Sequence, residues 1–406
     1  MTVRQTVRLA AIACLLAAGT ARAQEPRHEH MGHASGGCAR TTLDCASSAT
    51  PFFAPDGTLW LTWSAGDTIS VAHSSDLGAH FSDPVAITPA PIRMDSGGDS
   101  RPTVIVDRTG RITVAYALFQ DARYNGAVLI SRSTDGGAHF SAPEPITSDS
   151  PSQRFQAMAL DTDGQLFVAW LDKRNIAAAR ARGEQAAGAG LAFAWSDGTT
   201  IPAPRIAADN TCECCRLGLG WMGPGRPVVV FRNIFEDKYR DHAVIVFKDR
   251  DTPGPLHRVS DDHWAVAACP HHGPTLAVSG AGTIHTAWFS GGGPRKGVFY
   301  ALSHDNAETF SDPIRLGSAD RQISRPTLLA LGKTVYLAWK SYDGERTEVQ
   351  SMVSFDDGTS WSAPRTLAAT LGQSDHPLLV ANGGAVFLSW MTQHDGYRLL
   401  PYGGES

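Results

Sequence analysis

Short stretches in which apolar and polar residues alternate recur along this chain. Each ends in an aromatic or small-residue pair, and a two-residue period of this kind is that of a β-strand. Seven stretches follow one another about 50 residues apart: residues 59–63, 112–117, 166–170, 228–231, 284–288, 335–339 and 386–390. The pattern predicts an all-β protein of repeated four-stranded units, with seven units favoured and six as the alternative. The last unit has room for three strands, so residues around 38–49 are expected to supply its fourth.

A second repeated element occupies a turn in four of these units. Its pattern is S-x-D-x-G-x-x-(F/W), matched closely or nearly by residues 74–81, 133–140, 303–310 and 354–361. In such a turn the aspartate caps the backbone, the glycine takes a positive φ and the aromatic ring packs underneath. We therefore expect turn formers rather than catalysts at Asp76, Asp135, Asp305 and Asp356. The four segments resemble the Asp-boxes (BNR repeats) of the sialidase superfamily, and this resemblance implies a β-propeller whose blades are the repeated units.

The first 23 residues have the features of an export signal. Arg4 and Arg8 precede a short apolar core and an A-x-A cleavage site that ends at Ala23. This core is too short to span a bilayer, and no other segment reaches transmembrane length. We expect a periplasmic or secreted protein cleaved near Ala23, with a flexible tail at 24–37 and a single propeller domain at 38–406.

The net charge excludes one class of partner. The full chain carries a formal charge of −5 at pH 7, and the expected cleavage removes three arginines and no acidic residue, which leaves −8. Nucleic-acid-binding proteins need a basic surface. A nucleic-acid partner is therefore not expected.

Soft metal ligands concentrate in two short segments of the chain. The sequence Cys-Glu-Cys-Cys at 212–215 is followed about fifty residues later by Cys-Pro-His-His at 269–272, at the same phase of the next repeat. A closed ring of repeats could bring the two segments together. Thiolates and imidazoles prefer copper(I) or zinc. We therefore predict a soft-metal site, with copper suspected and zinc less favoured, whose ligands are Cys212, Cys214, Cys215, Cys269, His271 and His272.

Disulfides are the alternative for these thiols, since export leads to an oxidising compartment. Cys38 and Cys45 are expected to form one bridge. Two further bridges among the remaining four cysteines would make the protein a non-catalytic binding scaffold. Adjacent Cys214 and Cys215 rarely bond to each other, because the small ring strains the peptide.

Other residues near these segments extend the candidate site. The accessory residues are Arg216, Arg232, Arg240, Asp241 and Trp264; loop-orienting salt bridges are the simpler account of Arg232, Arg240 and Asp241. The segments CECCR, FRN with YRDH, and HWAVAACPHHGP resemble a group of exported Asp-box propellers labelled sialidase-like, a label that does not define their chemistry.

In the tail, imidazole and thioether groups are expected to capture copper at His28, His30, Met31 and His33. The expected partners are a metal ion or a small anionic ligand, with a periplasmic protein as a further candidate.

Sialidase activity is the second function that the resemblance implies. A hydrolytic sialidase needs three arginines on the substrate carboxylate, a tyrosine nucleophile helped by a glutamate, and an aspartate acid/base. The candidates are Arg101, Arg216, Arg325 (or Arg154), Glu236 and Tyr239, with Asp95, Asp99 or Asp121 as the acid. The F/Y-R-I-P signature of the family is absent, because the corresponding segment reads Asp-Ser-Arg-Pro at 99–102. This departure puts hydrolytic activity in doubt and leaves the catalytic residues unassigned.

Overall fold

The computed structural model describes residues 42–88, 91–196 and 198–403. Their strands form seven antiparallel sheets, six with four strands and one with three. The sheets follow one another along the chain as the blades of a β-propeller, so the prediction of seven blades is confirmed. The signal segment, the His- and Met-containing tail and Cys38 lie outside the described residues.

The first three blades contain strands β1 to β12, and each blade is hydrogen-bonded in chain order or its exact reverse. Blade 1 consists of β1 (Ser48–Phe53), β2 (Leu59–Ala65), β3 (Thr68–Ser74) and β4 (Val85–Ala86). Blade 2 consists of β5 (Thr103–Val106), β6 (Ile112–Phe119), β7 (Gly126–Ser133) and β8 (Glu144–Pro145). Blade 3 consists of β9 (Gln153–Leu160), β10 (Leu166–Asp172), β11 (Ala189–Trp195) and β12 (Arg205–Thr211).

The other four blades contain strands β13 to β27. Blade 4 consists of β13 (Gly218–Trp221), β14 (Pro227–Arg232), β15 (His242–Phe247) and β16 (Pro253–Arg258). Blade 5 consists of β17 (Thr275–Val278), β18 (Ile284–Gly291), β19 (Lys296–Ser303) and β20 (Ile314–Leu316). Blade 6 consists of β21 (Gln322–Leu331), β22 (Thr334–Tyr342), β23 (Arg346–Ser354) and β24 (Arg365–Leu371), and blade 7 of β25 (Leu378–Asn382), β26 (Ala385–Thr392) and β27 (Gly396–Pro401).

An insertion between β10 and β11 holds a helix, α1 (Arg174–Ala181). The sequence predicts this segment as a loop with a helical turn at 175–190. None of the helices in the described ranges has the length and apolar character needed to cross a membrane.

The alternating stretches that define the repeat are the second strands of the blades. Side chains on both faces of these strands are buried, because each sheet packs against two neighbouring blades. Clusters of buried side chains fill the spaces between consecutive blades, and Trp170 and Trp288 are among the largest residues in them. The core is therefore divided into layers between blades, and the central channel is left to the loops that lead into the innermost strands.

The S-x-D segments form the same turn between the third and fourth strands of blades 1, 2, 5 and 6. In blade 1, the Ser74 hydroxyl donates to Asp76 Oδ1 (2.8 Å) and accepts from the Gly78 N–H (2.8 Å), while Asp76 Oδ1 also accepts from the His80 N–H (2.9 Å). Equivalent serine–aspartate bonds occur at Asp135, Asp305 and Asp356. Hydrogen bonds within the turn lower the pKa of each aspartate to about 2. The turn-forming role of these aspartates is confirmed.

The ring closes between blades 7 and 1 through side chains. Asp375, just before β25, accepts hydrogen bonds from the Ala49 N–H of β1 (3.1 Å) and from Arg101 Nη2 before β5 (2.5 Å). Met391 of β26 packs in one buried cluster with Leu61 of β2. Three blades therefore meet at one carboxylate.

The fourth strand expected in the last blade is not supplied by the described part of 38–49. There, Leu43–Cys45 is a short 3-10 helix, and Ser48–Phe53 is β1, which pairs with β2. Within the described residues 42–53, β1 pairs with β2 instead, from which it is separated by only a five-residue turn. Closing a short hairpin costs less chain entropy than pairing with the opposite end of the chain.

Candidate functional site

Two connections between blades hold the predicted metal ligands. The 212–215 segment lies between β12 and β13, so it carries the chain from blade 3 into blade 4. Cys269, His271 and His272 lie in the next such connection, between β16 and β17. The two segments therefore lie at corresponding points of neighbouring blades, as the phase of the sequence repeat predicted.

The three thiols of the first segment are buried and close together. Cys212 Sγ lies 3.4 Å from Cys214 Sγ, which lies 3.9 Å from Cys215 Sγ, and all three sulfur atoms are within 4.8 Å of one another. Neither these cysteines nor Cys269 forms a disulfide within the described ranges. The alternative of two bridges among the four is thus not what the structure shows. Cys45 is disulfide-bonded, but its expected partner, Cys38, lies outside the described residues.

Local packing explains why the three sulfur atoms point inward. The segment adds to the apolar core between blades 3 and 4, where Phe155 and Phe231 belong to the same cluster. Glu213 points the other way, because its carboxylate pairs with Lys173 Nζ (2.5 Å) just before α1. The turn at Glu213 thereby separates one charged side chain from three thiols.

Two guanidinium groups contact the thiol cluster. Arg232 Nη1 lies 3.5 Å from Cys215 Sγ, and Arg240 Nη1 lies 3.4 Å from Cys212 Sγ. The Arg232 guanidinium stacks on the ring of Trp264, with 3.8 Å from Cζ to the ring centroid. Arg232 also donates through Nε to the Arg240 carbonyl (2.8 Å). Both arginines are therefore positioned on sulfur and not on a carboxylate.

The thiols have divergent acidities. Hydrogen bonds from Cys214 and Cys215 hold the pKa of Cys212 well below its usual range, and the two arginines add to this effect. Hydrogen bonding to Cys212 raises the pKa of Cys214, and a separate interaction with Cys212 raises the pKa of Cys215 to about 12. Interaction with Cys214 lowers the pKa of Cys269 to about 7. The cluster thus favours a thiolate at Cys212, the form that binds metals.

Two buried imidazoles of the candidate region are neutral, although among the described residues the group close enough to hold one metal ion consists of the three cysteines alone. His272 stacks on Phe289 with 4.1 Å between ring centroids, and burial lowers its pKa to about 3. His242, the register partner of Arg232 in blade 4, is buried, which lowers its pKa well below the ordinary value. Among the described residues, no hydrogen bond of standard geometry reaches either ring nitrogen of His242 or Nδ1 of His272. The sequence predicted His272 as a ligand but missed His242, although it follows directly after the Tyr-Arg-Asp run.

Asp241 has a structural role different from that of its arginine neighbours. Its carboxylate accepts hydrogen bonds from Arg258 Nε (3.1 Å) and from the backbone N–H groups of His263 (2.9 Å) and Trp264 (3.0 Å). The loop-orienting account therefore describes Asp241. Arg232 and Arg240 also hold loops, through the Arg240 and Val266 carbonyls, but in the described part of the chain their other contacts are with thiols and not with a carboxylate.

Asp99 gathers the loops at the centre of the channel. Its carboxylate lies 3.6 Å from Arg216 Nη1 and 3.4 Å from Arg325 Nη1, and it accepts from the Gly273 N–H (3.2 Å). Arg216 Nη1 also donates to Nδ1 of His376 (2.6 Å), whose pKa is lowered strongly by burial so that the ring is neutral. The loops that lead into blades 2, 4, 5 and 7 thus meet strand β21 of blade 6 here.

The remaining channel arginines are paired with buried aspartates. Arg154 binds Asp95 through two hydrogen bonds (2.5 and 2.9 Å), and Arg101 binds Asp375 (2.5 Å). The structure therefore brings Arg216 and Arg325 to one carboxylate, that of Asp99, whereas Arg101 and Arg154 bind other carboxylates. Each of them already contacts a carboxylate of the protein, and sequence reasoning did not identify Asp375 as one of these partners.

Glu236 and Tyr239 lie on a hairpin that follows β14. Glu236 is 3.9 Å from Arg258 Nη1, and the Tyr239 ring packs against His263 with 4.7 Å between centroids. Within the described part of the chain, the contacts of this pair are with loops of blade 4, whereas the arginines contact Asp99, Asp375 and Asp95.

Three residues of the candidate region have strained backbone conformations. Phe155, His271 and Arg325 have φ angles of 56°, 50° and 55°, in the left-handed region that L-residues rarely adopt. Arg325 donates a hydrogen bond to the His271 carbonyl, and the rings of His271 and Phe155 lie 5.9 Å apart. Strain of this kind concentrates at functional sites.

Comparison with known proteins establishes the fold. No family model matches the chain, and no curated protein matches its sequence. Solved structures with a similar fold include the polysaccharide lyase PL25 ulvan lyase, with a TM-score of 0.58 and 12% identity over 86% of this chain and 91% of that one. They also include the polysaccharide lyase Uly1 (TM-score 0.53, 9% identity, 88% and 87% covered) and the Hadza microbial sialidase Hz136 (TM-score 0.50, 15% identity, 85% and 76% covered). At these identities the likeness concerns the propeller fold alone.

Proposed function

We propose that this chain is an exported propeller that binds a soft metal ion, copper(I) in preference to zinc, at the Cys212–Cys214–Cys215 cluster. The observation that carries the proposal is the placement of three buried sulfur atoms within 4.8 Å of one another. His272 of the next connection is a further donor, His242 is an additional candidate, and Cys269 is a donor during ligand exchange. Metal handling or a redox step is the function we assign to the centre.

The dimensions of the cluster support binding of one ion. Metal–sulfur bonds are about 2.3 Å long, so the sulfur atoms around one four-coordinate ion are about 3.8 Å apart. The shorter sulfur separations here are 3.4 and 3.9 Å, and the upper limit is 4.8 Å. Each sulfur atom would therefore move by less than about 1 Å to bind a common ion.

The charges around the cluster support thiolate ligands. Several thiolates on a monovalent or divalent ion leave a net negative charge, which is costly to bury unless it is paired. The guanidinium groups of Arg232 and Arg240, at 3.4–3.5 Å from two sulfur atoms, supply the compensating positive charge. Cysteines that only fill apolar space have no need of such partners.

The donor set favours copper(I) over harder ions. Thiolates and neutral imidazoles are the ligands that copper(I) and zinc prefer, and carboxylates suit magnesium, calcium or manganese. The acidic residue of the segment, Glu213, points away and pairs with Lys173. The tail residues His28, His30, Met31 and His33 are proposed to capture copper before it reaches the cluster.

Metal loading of purified protein tests the proposal. The metal-free chain is titrated with copper(I) under anaerobic conditions against a copper(I)-specific chelator, and bound metal and free thiols are counted. We expect one ion per chain, and a fall in affinity of at least about 100-fold for Cys214→Ser, above the range for residues that only support a ligand. Leu217→Ala is the matched control, because Leu217 packs in the same buried cluster and has no donor atom.

Two results would overturn the proposal. One is a wild-type chain that binds neither copper(I) nor zinc when its thiols are reduced. The other is a Cys214→Ser variant with wild-type metal content. In either case the cluster is a packing element of the core.

The glycosidase alternative makes a different prediction. It requires hydrolysis of a sialoside that depends on Arg101, Arg216 and Arg325 and is indifferent to Cys214→Ser. The protein carboxylates that contact these arginines do not favour it. Assay of a fluorogenic sialoside with wild type and Arg325→Gln separates the two functions.

A further inference from the structure

One thiol of the candidate centre differs from the other three in its exposure. Cys212, Cys214 and Cys215 are almost completely buried, with 1%, 0% and 1% of their surface exposed. Cys269 is exposed to solvent. Arg240, whose Nη1 lies 3.4 Å from Cys212 Sγ, donates through Nε to the Val266 carbonyl, three residues before Cys269. One guanidinium group therefore links the buried cluster to the segment that carries the exposed thiol.

The segment that contains Cys269 is anchored on both sides. Before it, Arg240 Nε donates to the Val266 carbonyl (2.6 Å). After it, Arg325 donates to the His271 carbonyl, and the Gly273 N–H donates to the Asp99 carboxylate (3.2 Å).

Between these anchors the chain has no regular secondary structure, and residues 267–269 are exposed. Cys269 thus lies in a short, solvent-exposed span of chain between two anchored ends, one of which is bound by the arginine that contacts Cys212.

We propose that Cys269 is the exchange ligand through which copper(I) enters and leaves the buried cluster. This inference rests on the proposed metal-binding function. In the first step a bond from copper to the Cys269 sulfur forms while a bond to the incoming donor's ligand breaks. In the next steps bonds to the buried sulfurs replace the remaining donor bonds. The oxidation state does not change, and thiol protons are released to solvent as thiolates bind.

Accessibility is the physical reason for this sequence of steps. Ligand exchange requires the incoming donor to bring the ion within about 2.3 Å of a receiving sulfur. The three buried thiols are enclosed by aromatic side chains of blades 3 and 4 and by the guanidinium groups. A donor of any size can meet only the sulfur at the surface.

Transfer kinetics test the inference. Copper(I) is supplied as its bicinchoninate complex to the metal-free chain in a stopped-flow instrument, and its removal by excess bathocuproine disulfonate is followed separately. For Cys269→Ser we expect both loading and removal to slow by roughly tenfold or more. Ala268→Ser, a change at the neighbouring exposed residue, is the matched control and should retain wild-type rates.

The direction of the changes separates an exchange ligand from an ordinary one. Removal of an ordinary ligand accelerates copper release and lowers the affinity for copper, as we expect for Cys214→Ser. That result for Cys269→Ser, or a wild-type loading rate, would overturn the inference while leaving the metal site intact. A wild-type chain that takes up no copper(I) would instead refute the proposed function itself.

Alkylation provides the same test without a substitution. A short treatment of the folded, metal-free chain with iodoacetamide should modify Cys269 before the buried thiols and slow loading by a similar factor. A chain modified at Cys269 that loads copper(I) at the wild-type rate contradicts the inference.

Discussion

Replacement of Asp375 by asparagine should weaken the closure of the ring. The carboxylate accepts hydrogen bonds from Ala49 of blade 1, from Arg101 before blade 2, and from the His376 N–H. Side-chain exposure is 2% for Asp375 and 11% for Arg101, so the ion pair is shielded from water. Asp375→Asn keeps the shape of the side chain and removes its charge.

The expected cost follows from the buried partner that remains. Removal of one member of a buried ion pair usually costs about 3–5 kcal/mol, because the other charge is left uncompensated. Arg101 retains two carbonyl acceptors, those of Gly98 and Ala49, each at 3.3 Å. These contacts place the expected loss near the lower end, about 3 kcal/mol.

Urea unfolding followed by tryptophan fluorescence measures this loss. Asp251→Asn is the matched control, because Asp251 pairs with Arg205 at a surface where the side chains are 67% and 46% exposed. Such an exposed pair contributes at most about 1 kcal/mol. If the two variants lose the same free energy of unfolding, the reasoning about the shielded ion pair is wrong.

Three further results are expected. Asp135→Ala should lower the urea midpoint of unfolding, because the turn loses the acceptor for the Ser133 hydroxyl and the His139 N–H. Asp83→Ala is the control and should leave the midpoint unchanged. Equal midpoints for the two variants would contradict the turn-forming role. Burial lowers the pKa of Lys340 from 10.5 to about 8, so the unfolded chain binds this proton more tightly than the folded chain. The free energy of unfolding of the wild type, relative to that of Lys340→Met, should therefore rise between pH 8 and 10.5 and be level below pH 8. Unfolding measured as a function of pH tests this. His242→Phe should raise the melting temperature of the metal-free chain, because a buried imidazole without standard hydrogen bonds is removed, and should reduce the extra stability gained on copper binding.

The blade architecture could be predicted because its signals are local and repeated. Each second strand shows the two-residue alternation within a few residues, and each S-x-D turn contains its own hydrogen bonds, as at Asp76. The thiol cluster could be predicted for a related reason. The repeat phase gives 212–215 and 269–272 corresponding positions in neighbouring blades, whatever the details of the loops.

The partners at the channel could not be predicted in this way. Asp99 meets Arg325 across 226 residues of sequence, and Asp375 meets Arg101 across 274. Such pairs depend on how irregular loops from different blades converge, and no local period encodes that. His242 was missed because an alternating strand gives no sign of which buried side chain will lack a hydrogen-bond partner.

The position of the thiols relative to blade 4 has a consequence for the order of folding. Cys212 precedes the first strand of that blade and Cys269 follows its last strand, 57 residues further along the chain. Ring closure instead joins Ala49 to Asp375, 326 residues apart. Chain closure over the longer distance costs about 1.5 kcal/mol more. The two connections can therefore meet while the ring is still open, so that Arg240, which contacts Cys212 and the Val266 carbonyl, can join both ends of blade 4 before the last blade reaches the first.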